Sequence, residues 1–402
     1  MDPLLFLPAW PLEASPLAAI AVLLLAAIVA GESVRRFLRI SRVIGYLAVG
    51  ALLGPAGGAV IDNGTAGQLR IFVDIAIGML LFELGQRVDL GWLRRNPSLL
   101  AASLLEAALT FMLVVVAMTW LGIRPVAAAA AALLAVATSP AVVMTVIKDL
   151  RAQGQVSERL MLFTALNTAY AVIGLALMVG LLHYETHRPL ATMVLHPLYL
   201  VGGSLTLAGL LAIVMLSLLR LFGRRPAFQF SATVSLVLLT VAAATALKLS
   251  VPLALLLLGM FGRAFDRERH FVSLKFGETA MLFIVLLFAL AGASLEFTGW
   301  AAAAPLALAL IGARLIGKSV PVLLLSNASS LSLRKSSLVS LGLTPMSGLA
   351  LLMLHELLRQ APPLAAEIGA AMFLAITILS FAGPLAIEFA LRRSGEAAEE
   401  VR

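Results

Sequence analysis

Apolar residues run along this chain in blocks of about 20, separated by short polar connections rich in arginine. Thirteen such blocks lie near 16–36, 42–56, 67–86, 97–121, 126–148, 157–183, 194–219, 228–248, 251–264, 271–293, 299–326, 336–356 and 364–391. A helix rises 1.5 Å per residue, so about 20 apolar residues cross a hydrocarbon layer of about 30 Å. The pattern predicts an all-α polytopic membrane protein of about 13 spans. The blocks at 42–56 and 251–264 are short and glycine-rich, which fits tilted or partial crossings. The stretch 3–14 is too short and too proline-rich to span and is expected at the interface.

Two blocks are broken near their middle by a proline and small polar residues. LAVATSPAVVMTV (134–146) centres on Thr138, Ser139 and Pro140, and SLGLTPMSGLALL (340–352) on Thr344, Pro345, Ser347 and Gly348. Proline removes a backbone donor and clashes with the carbonyl four residues back, so each helix is expected to unwind there. In lipid, freed backbone groups are tolerated only inside protein or along a wet cavity. Interrupted helices in corresponding halves of a chain point to the binding site of a secondary transporter.

The correspondence is visible in the sequence. An offset of about 206 residues sets LLFELGQRVDLGW (80–92) against LLFALAGASLEFTGW (286–300), GYLAVGALLGP (45–55) against PLALLLLGMFG (252–262), and Pro140 against Pro345. The two halves, about 42–184 and 251–392, start on opposite sides of the membrane. An inverted-topology repeat is therefore expected.

Composition agrees with burial in lipid. The chain is 61% hydrophobic and 12% charged, half the charged share of about 25% found in soluble domains. A net charge of +8 could suggest nucleic acid, but its distribution does not. Of 29 basic residues, 22 fall in the odd-numbered connections and C-terminal tail, five in the even ones, and Arg314 and Lys318 inside a helix. The positive-inside rule then places the N-terminus outside and the C-terminus in the cytoplasm, as an odd number of spans requires. Cysteine is absent, so disulfides and thiolate metal sites are excluded. No metal-ligand spacing, nucleophile or nucleotide fingerprint appears, so neither an enzyme nor a cofactor is expected, and no soluble domain is expected at either end.

Depth sorts the polar residues. Asn167 lies about 15 Å along its helix from the cytoplasmic start. Thr138, Pro140, Thr344, Glu106 and Lys318 reach a similar level, with Arg314 one turn deeper than Lys318. Charges at that depth cost at least about 2.5–3.5 kcal/mol each, so they face protein and pair. Glu106 either takes part in transport or forms a structural salt bridge with Arg314 or Lys318. Thr138, Ser139 and Ser347 are binding groups or small packing residues. Asp74 and Glu278, related by the repeat, either line an entrance funnel or pair structurally. Glu83 with Arg87 reads as an interfacial pair.

RVIGYLAVGALLGP (42–55), LLFELGQRVDL (80–90), ATSPAVVMTVIKDLRAQG (137–154) and LGLTPMSGLALLM (341–353) resemble the monovalent cation/proton antiporter superfamily, in its bacterial sodium/proton and potassium-efflux branch. The resemblance implies the antiporter fold with two crossed discontinuous helices. It further implies a transport core (about 97–183 and 299–391), a dimerisation scaffold (about 16–86 and 194–293), a homodimer in a bacterial inner membrane, and exchange of Na+ or K+ for protons by alternating access. One position departs from it. Where the family carries an acidic pair or Asn-Asp that binds the cation, this chain has Asn167 and Thr168, whereas the family's basic position survives as Lys318. Four readings follow. Glu106 supplies the carboxylate, with Lys318 and Arg314 as partners; Lys318 itself carries the proton among neutral oxygens from Asn167, Thr168, Thr138 and Thr344; the site takes an organic anion such as a carboxylate; or the chain is a non-transporting homologue.

Overall fold

The computed structural model describes residues 16–55, 57–58, 70–88, 90–185, 190–222, 226–266, 278–295, 300–327, 331–346 and 348–398. Every predicted block is occupied by helix, and no strand occurs among the described residues. In chain order these are α1 (Pro16–Ser33, continued by a π-helical turn Val34–Leu38), α2 (Arg42–Leu53), α3 (Arg70–Arg87), a short α4 (Leu90–Arg95), α5 (Pro97–Trp120), α6 (Pro125–Val136), α7 (Pro140–Asp149), α8 (Gln155–Glu185), α9 (Leu190–Phe222), α10 (Pro226–Ala246), α11 (Val251–Phe265), α12 (Glu278–Ala293), α13 (Trp300–Leu324), α14 (Leu333–Gly342), α15 (Gly348–Gln360) and α16 (Pro362–Ser394). The lead-in at 3–14 lies outside the described residues. Proline opens α5, α6, α7 and α16 at a position where a missing N–H costs nothing and a fixed φ helps.

Burial ranks the helices by distance from lipid. The stretch holding α6 and α7 is 94% buried, against 33% for α9. The sequence explains the contrast: α6 reads PVAAAAAALLAV, and its small side chains let other backbones approach on all sides. On α9, Leu195, Leu198, Leu210 and Ile213 are exposed, as a lipid-facing surface requires.

The inverted repeat is built into the packing. Helix α2 of the first half lies against α12 of the second, and α3 of the first against α11 of the second. Each crossing is made by a glycine pair, and the two crossings join repeat-related helices. A Cβ on Gly50 would sit 1.9 Å from the Ala289 carbonyl oxygen, and one on Gly292 2.2 Å from that of Leu47. At the twin crossing, a Cβ on Gly259 would lie 2.0 Å from the Phe82 oxygen, and one on Gly85 2.1 Å from that of Leu256. Both backbones therefore pass at Cα–H···O distance. Gly50→Ala and Gly259→Ala are each expected to lower stability by about 1–3 kcal/mol, read as a lower melting temperature in detergent. Gly202→Ala, with open space around it, should leave the melt unchanged.

A crossing of two broken helices

Both interruptions are where the proline pattern placed them. Helix α6 stops at Val136, Ala137 and Ser139 are extended, and Pro140 starts α7, with the Ser139 hydroxyl accepting from Val142 N. A residue before proline is driven out of the helical region by the ring, which accounts for Ser139. Helix α14 stops at Gly342, and α15 begins at Gly348. The two breaks touch: Ser139 N donates to the Pro345 carbonyl (3.0 Å). On the far side of this contact, the Ser380 hydroxyl of α16 donates to the Met346 carbonyl (3.2 Å).

Two half-helices thus end at the same place, and their last carbonyls form a concentration of negative dipole. Arg314 answers it. Its side chain is fully buried, and its guanidinium donates to Ala135 O (2.8 Å) and Ala137 O (3.1 Å) from the first break, and to Leu343 O (3.2 Å), Thr344 O (2.7 Å) and Pro345 O (3.2 Å) from the second. One turn along α13, Lys318 donates to the remaining carbonyl, Val136 O (2.9 Å), and to Glu106 Oε1 (2.6 Å). Glu106 therefore meets Lys318, while Arg314 is occupied by backbone. The planar fork of arginine, with five N–H donors, suits several carbonyls at once. The close approach of α5 and α13 that joins Glu106 to Lys318 is made by Gly317, where a Cβ would lie 2.4 Å from Thr110 Cα.

Neutral groups of α8 complete the layer. Asn167 and Thr168 are fully buried. The Asn167 amide donates to Thr138 Oγ1 (3.4 Å), and the Thr168 hydroxyl donates back to the Thr164 carbonyl in its own helix (2.8 Å). Among the buried oxygens without a hydrogen-bond partner are Glu106 Oε2, Asn167 Oδ1 and Thr110 Oγ1. Ser103, one turn before Glu106, approaches the Tyr170 hydroxyl at 3.5 Å. The positive ends of the half-helices, at Pro140 and Gly348, face an apolar pocket walled by Leu80, Leu81, Leu287 and Phe288, which belong to the two repeat-related LLF motifs.

The expected site residues are thereby distributed as follows. Thr138, Ser139, Pro140 and Thr344 form the crossing, Arg314 clamps it, Lys318 and Glu106 pair beside it, and Asn167 touches Thr138. Thr168 lies one position on, bonded to its own helix. Ser347 lies outside the described residues. Asp74 and Glu278 sit on α3 and α12 with side chains likewise outside them. Ser380 and Thr110 were not anticipated, because a lone hydroxyl in an apolar helix carries no signal in sequence. Among the described residues no group of His, Asp and Glu is arranged to hold a metal.

The sequence profile of the family described as sodium/hydrogen exchanger, transmembrane, matches residues 20–393. The chain belongs to that family. Its fold is that of solved structures of the sodium proton antiporter MjNhaP1 from Methanocaldococcus jannaschii. One, at pH 8, superposes with a TM-score of 0.70 at 17% identity, covering 94% of this chain and 97% of that chain. A second, from electron microscopy, gives 0.73 at 18% identity, covering 96% and 99%. No curated protein matches the chain. Membership of the exchanger family makes this a multi-pass membrane protein of a transporter class.

Proposed function

We propose that the protein exchanges a monovalent cation, Na+ or K+, for protons by alternating access. In this reading Glu106 replaces the carboxylate missing at Thr168. The observation that carries it is the Glu106 side chain: fully buried at mid-span, one oxygen held by Lys318 and the other without a partner. In this reading the free carboxylate oxygen of Glu106 and the unpartnered amide oxygen of Asn167, with the hydroxyls of Thr138 and Thr168, would supply oxygen donors of the kind hard cations take. Proton binding to Glu106 and cation binding beside it would exclude each other, which is what exchange requires. An organic anion is less well served. The Arg314 guanidinium is committed to five carbonyls and the Lys318 ammonium to Glu106.

The proposal extends to the division of the chain. A core of about 97–183 and 299–391, carrying the crossing, would move against a scaffold of about 16–86 and 194–293 that also forms a homodimer. Asp74 and Glu278 would line an entrance funnel. The arginine-rich face would be cytoplasmic, in a bacterial inner membrane.

Proteoliposomes loaded with a pH-sensitive dye provide the test. Pulses of sodium or potassium are expected to drive proton movement, and small carboxylates are expected to drive none. A response to carboxylates without a response to either cation would replace exchange of cations with anion transport, and silence to all would favour a non-transporting homologue.

A further inference from the structure

Three ion pairs join the proposed scaffold to the proposed core, and all three lie at the arginine-rich face. Lys148, in the last turn of α7, pairs with Glu83 of α3, which is 4% exposed. The next residue, Asp149, meets Arg42 at the start of α2 (3.6 Å). Arg35, in the π-helical turn after α1, meets Glu388 of α16 (3.9 Å). Adjacent residues of opposite charge at the end of α7 thus reach two different scaffold helices. Glu83 also has Arg87 at 3.7 Å, one turn away, as expected from sequence, but that contact stays within α3.

The position of the Glu83–Lys148 pair matters more than its strength. Beside it is a crevice lined by Ala76, Met79, Leu80, Phe283 and Ile284. Leu80 also walls the apolar pocket under Pro140 and Gly348. The pair therefore stands between the arginine-rich face and the crossing of the broken helices. The two flanking pairs are longer, at 3.6 and 3.9 Å; the Glu83–Lys148 pair is closer, with its carboxylate buried and its lysine partly exposed toward the arginine-rich face. A half-buried pair of this kind balances Coulomb attraction against the hydration its buried carboxylate has lost. Parting it while the crevice fills with water returns the hydration as the attraction is lost, which suits a joint that must break and re-form repeatedly.

We infer that the Glu83–Lys148 bridge is the closure that keeps the arginine-rich side of the transport path shut, and that it parts whenever the site opens to that side. The inference rests on the division into core and scaffold proposed above. Glu83 and Lys148 are positioning residues here, acting through the placement of one bundle against the other.

The chain has no cysteine, so Ala76→Cys places a single thiol in the crevice. In proteoliposomes, a membrane-impermeant maleimide applied to the arginine-rich face is expected to label Ala76→Cys slowly. Adding Glu83→Gln, which keeps the shape and removes the charge, is expected to speed labelling by about ten-fold or more, since the open population rises with the lost preference for closure. The charge-exchanged protein, Glu83→Lys with Lys148→Glu, should label slowly again, a rescue that loss of fold does not produce. Equal labelling with and without Glu83→Gln overturns the inference. So does fast labelling of a charge-exchanged protein that melts like its parent. Labelling needs no transport, so a closure that behaves as described in a protein that moves no cation would defeat the exchange reading alone. Intact exchange with insensitive labelling would defeat the closure alone.

Discussion

Arg314→Leu is expected to yield no folded, monodisperse protein in detergent, and Arg314→Lys a protein melting lower by roughly 10 °C or more. The argument is a count of stranded acceptors. Leucine removes the donor shared by five buried carbonyls; that of Pro345 keeps the Ser139 N–H, and those of residues 135, 137, 343 and 344 lose theirs. Each buried acceptor left unsatisfied costs about 1–3 kcal/mol, and the two half-helix ends also lose the charge that offsets their dipoles. Even with partial relaxation, about 5 kcal/mol or more is at stake, comparable to the whole stability of many proteins. Lysine restores the charge but has three rotatable donors in place of a planar fork, so it can serve one break well and the other poorly. Fluorescence-detected size exclusion after a temperature ramp reads both outcomes. An Arg314→Leu protein melting within a few degrees of the parent would show that the carbonyls find other partners.

The second prediction separates architecture from exchange. Glu106→Gln strands the buried ammonium of Lys318, and Lys318→Gln strands the Glu106 carboxylate; breaking a buried pair from one side costs about 3–5 kcal/mol. The double variant Glu106→Gln/Lys318→Gln removes both charges together and is expected to melt above either single variant, a coupling that a double-mutant cycle measures. Transport should follow a different order. Both proteins lacking Glu106 are expected to lose cation-driven proton movement by about 100-fold or more, the double variant included, because its stability returns without its carboxylate. If the double variant still exchanges, Glu106 is structural and the exchanging group lies elsewhere. If Glu106→Gln exchanges normally and Lys318→Gln does not, the proton travels on the lysine.

Much of this architecture could be read from the residues alone, for identifiable reasons. Pro197, Pro305, Pro321 and Pro384 sit inside continuous helices, whereas Pro140 and Pro345 stand among small polar residues, and that combination made both interruptions legible. The repeat was legible because the LLF motifs, the segments GYLAVGALLGP and PLALLLLGMFG, and the two helix-breaking prolines correspond at an offset of about 206. The antiporter resemblance of those motifs agrees with the family match and with the fold. Partners were harder. Glu106 was expected beside Arg314 or Lys318, and it meets Lys318; Arg314 turns instead to backbone carbonyls, acceptors that any residue supplies and that sequence does not display. Pairing of Lys148 with Glu83 spans 65 positions and depends on how two bundles face each other, which periodicity does not encode. Glycine positions were visible, but that Gly50 meets Ala289, or Gly85 meets Leu256, depends on close approach in three dimensions.

The way one guanidinium straddles both breaks has a mechanical consequence. Two chain segments some 200 residues apart in sequence are riveted at a single point, so neither can slide, rewind or tilt while the other stays behind. Any access switch in this protein has to carry the rivet along as cargo, and compounds seeking to jam it will find more purchase at the seams between moving parts than at the rivet.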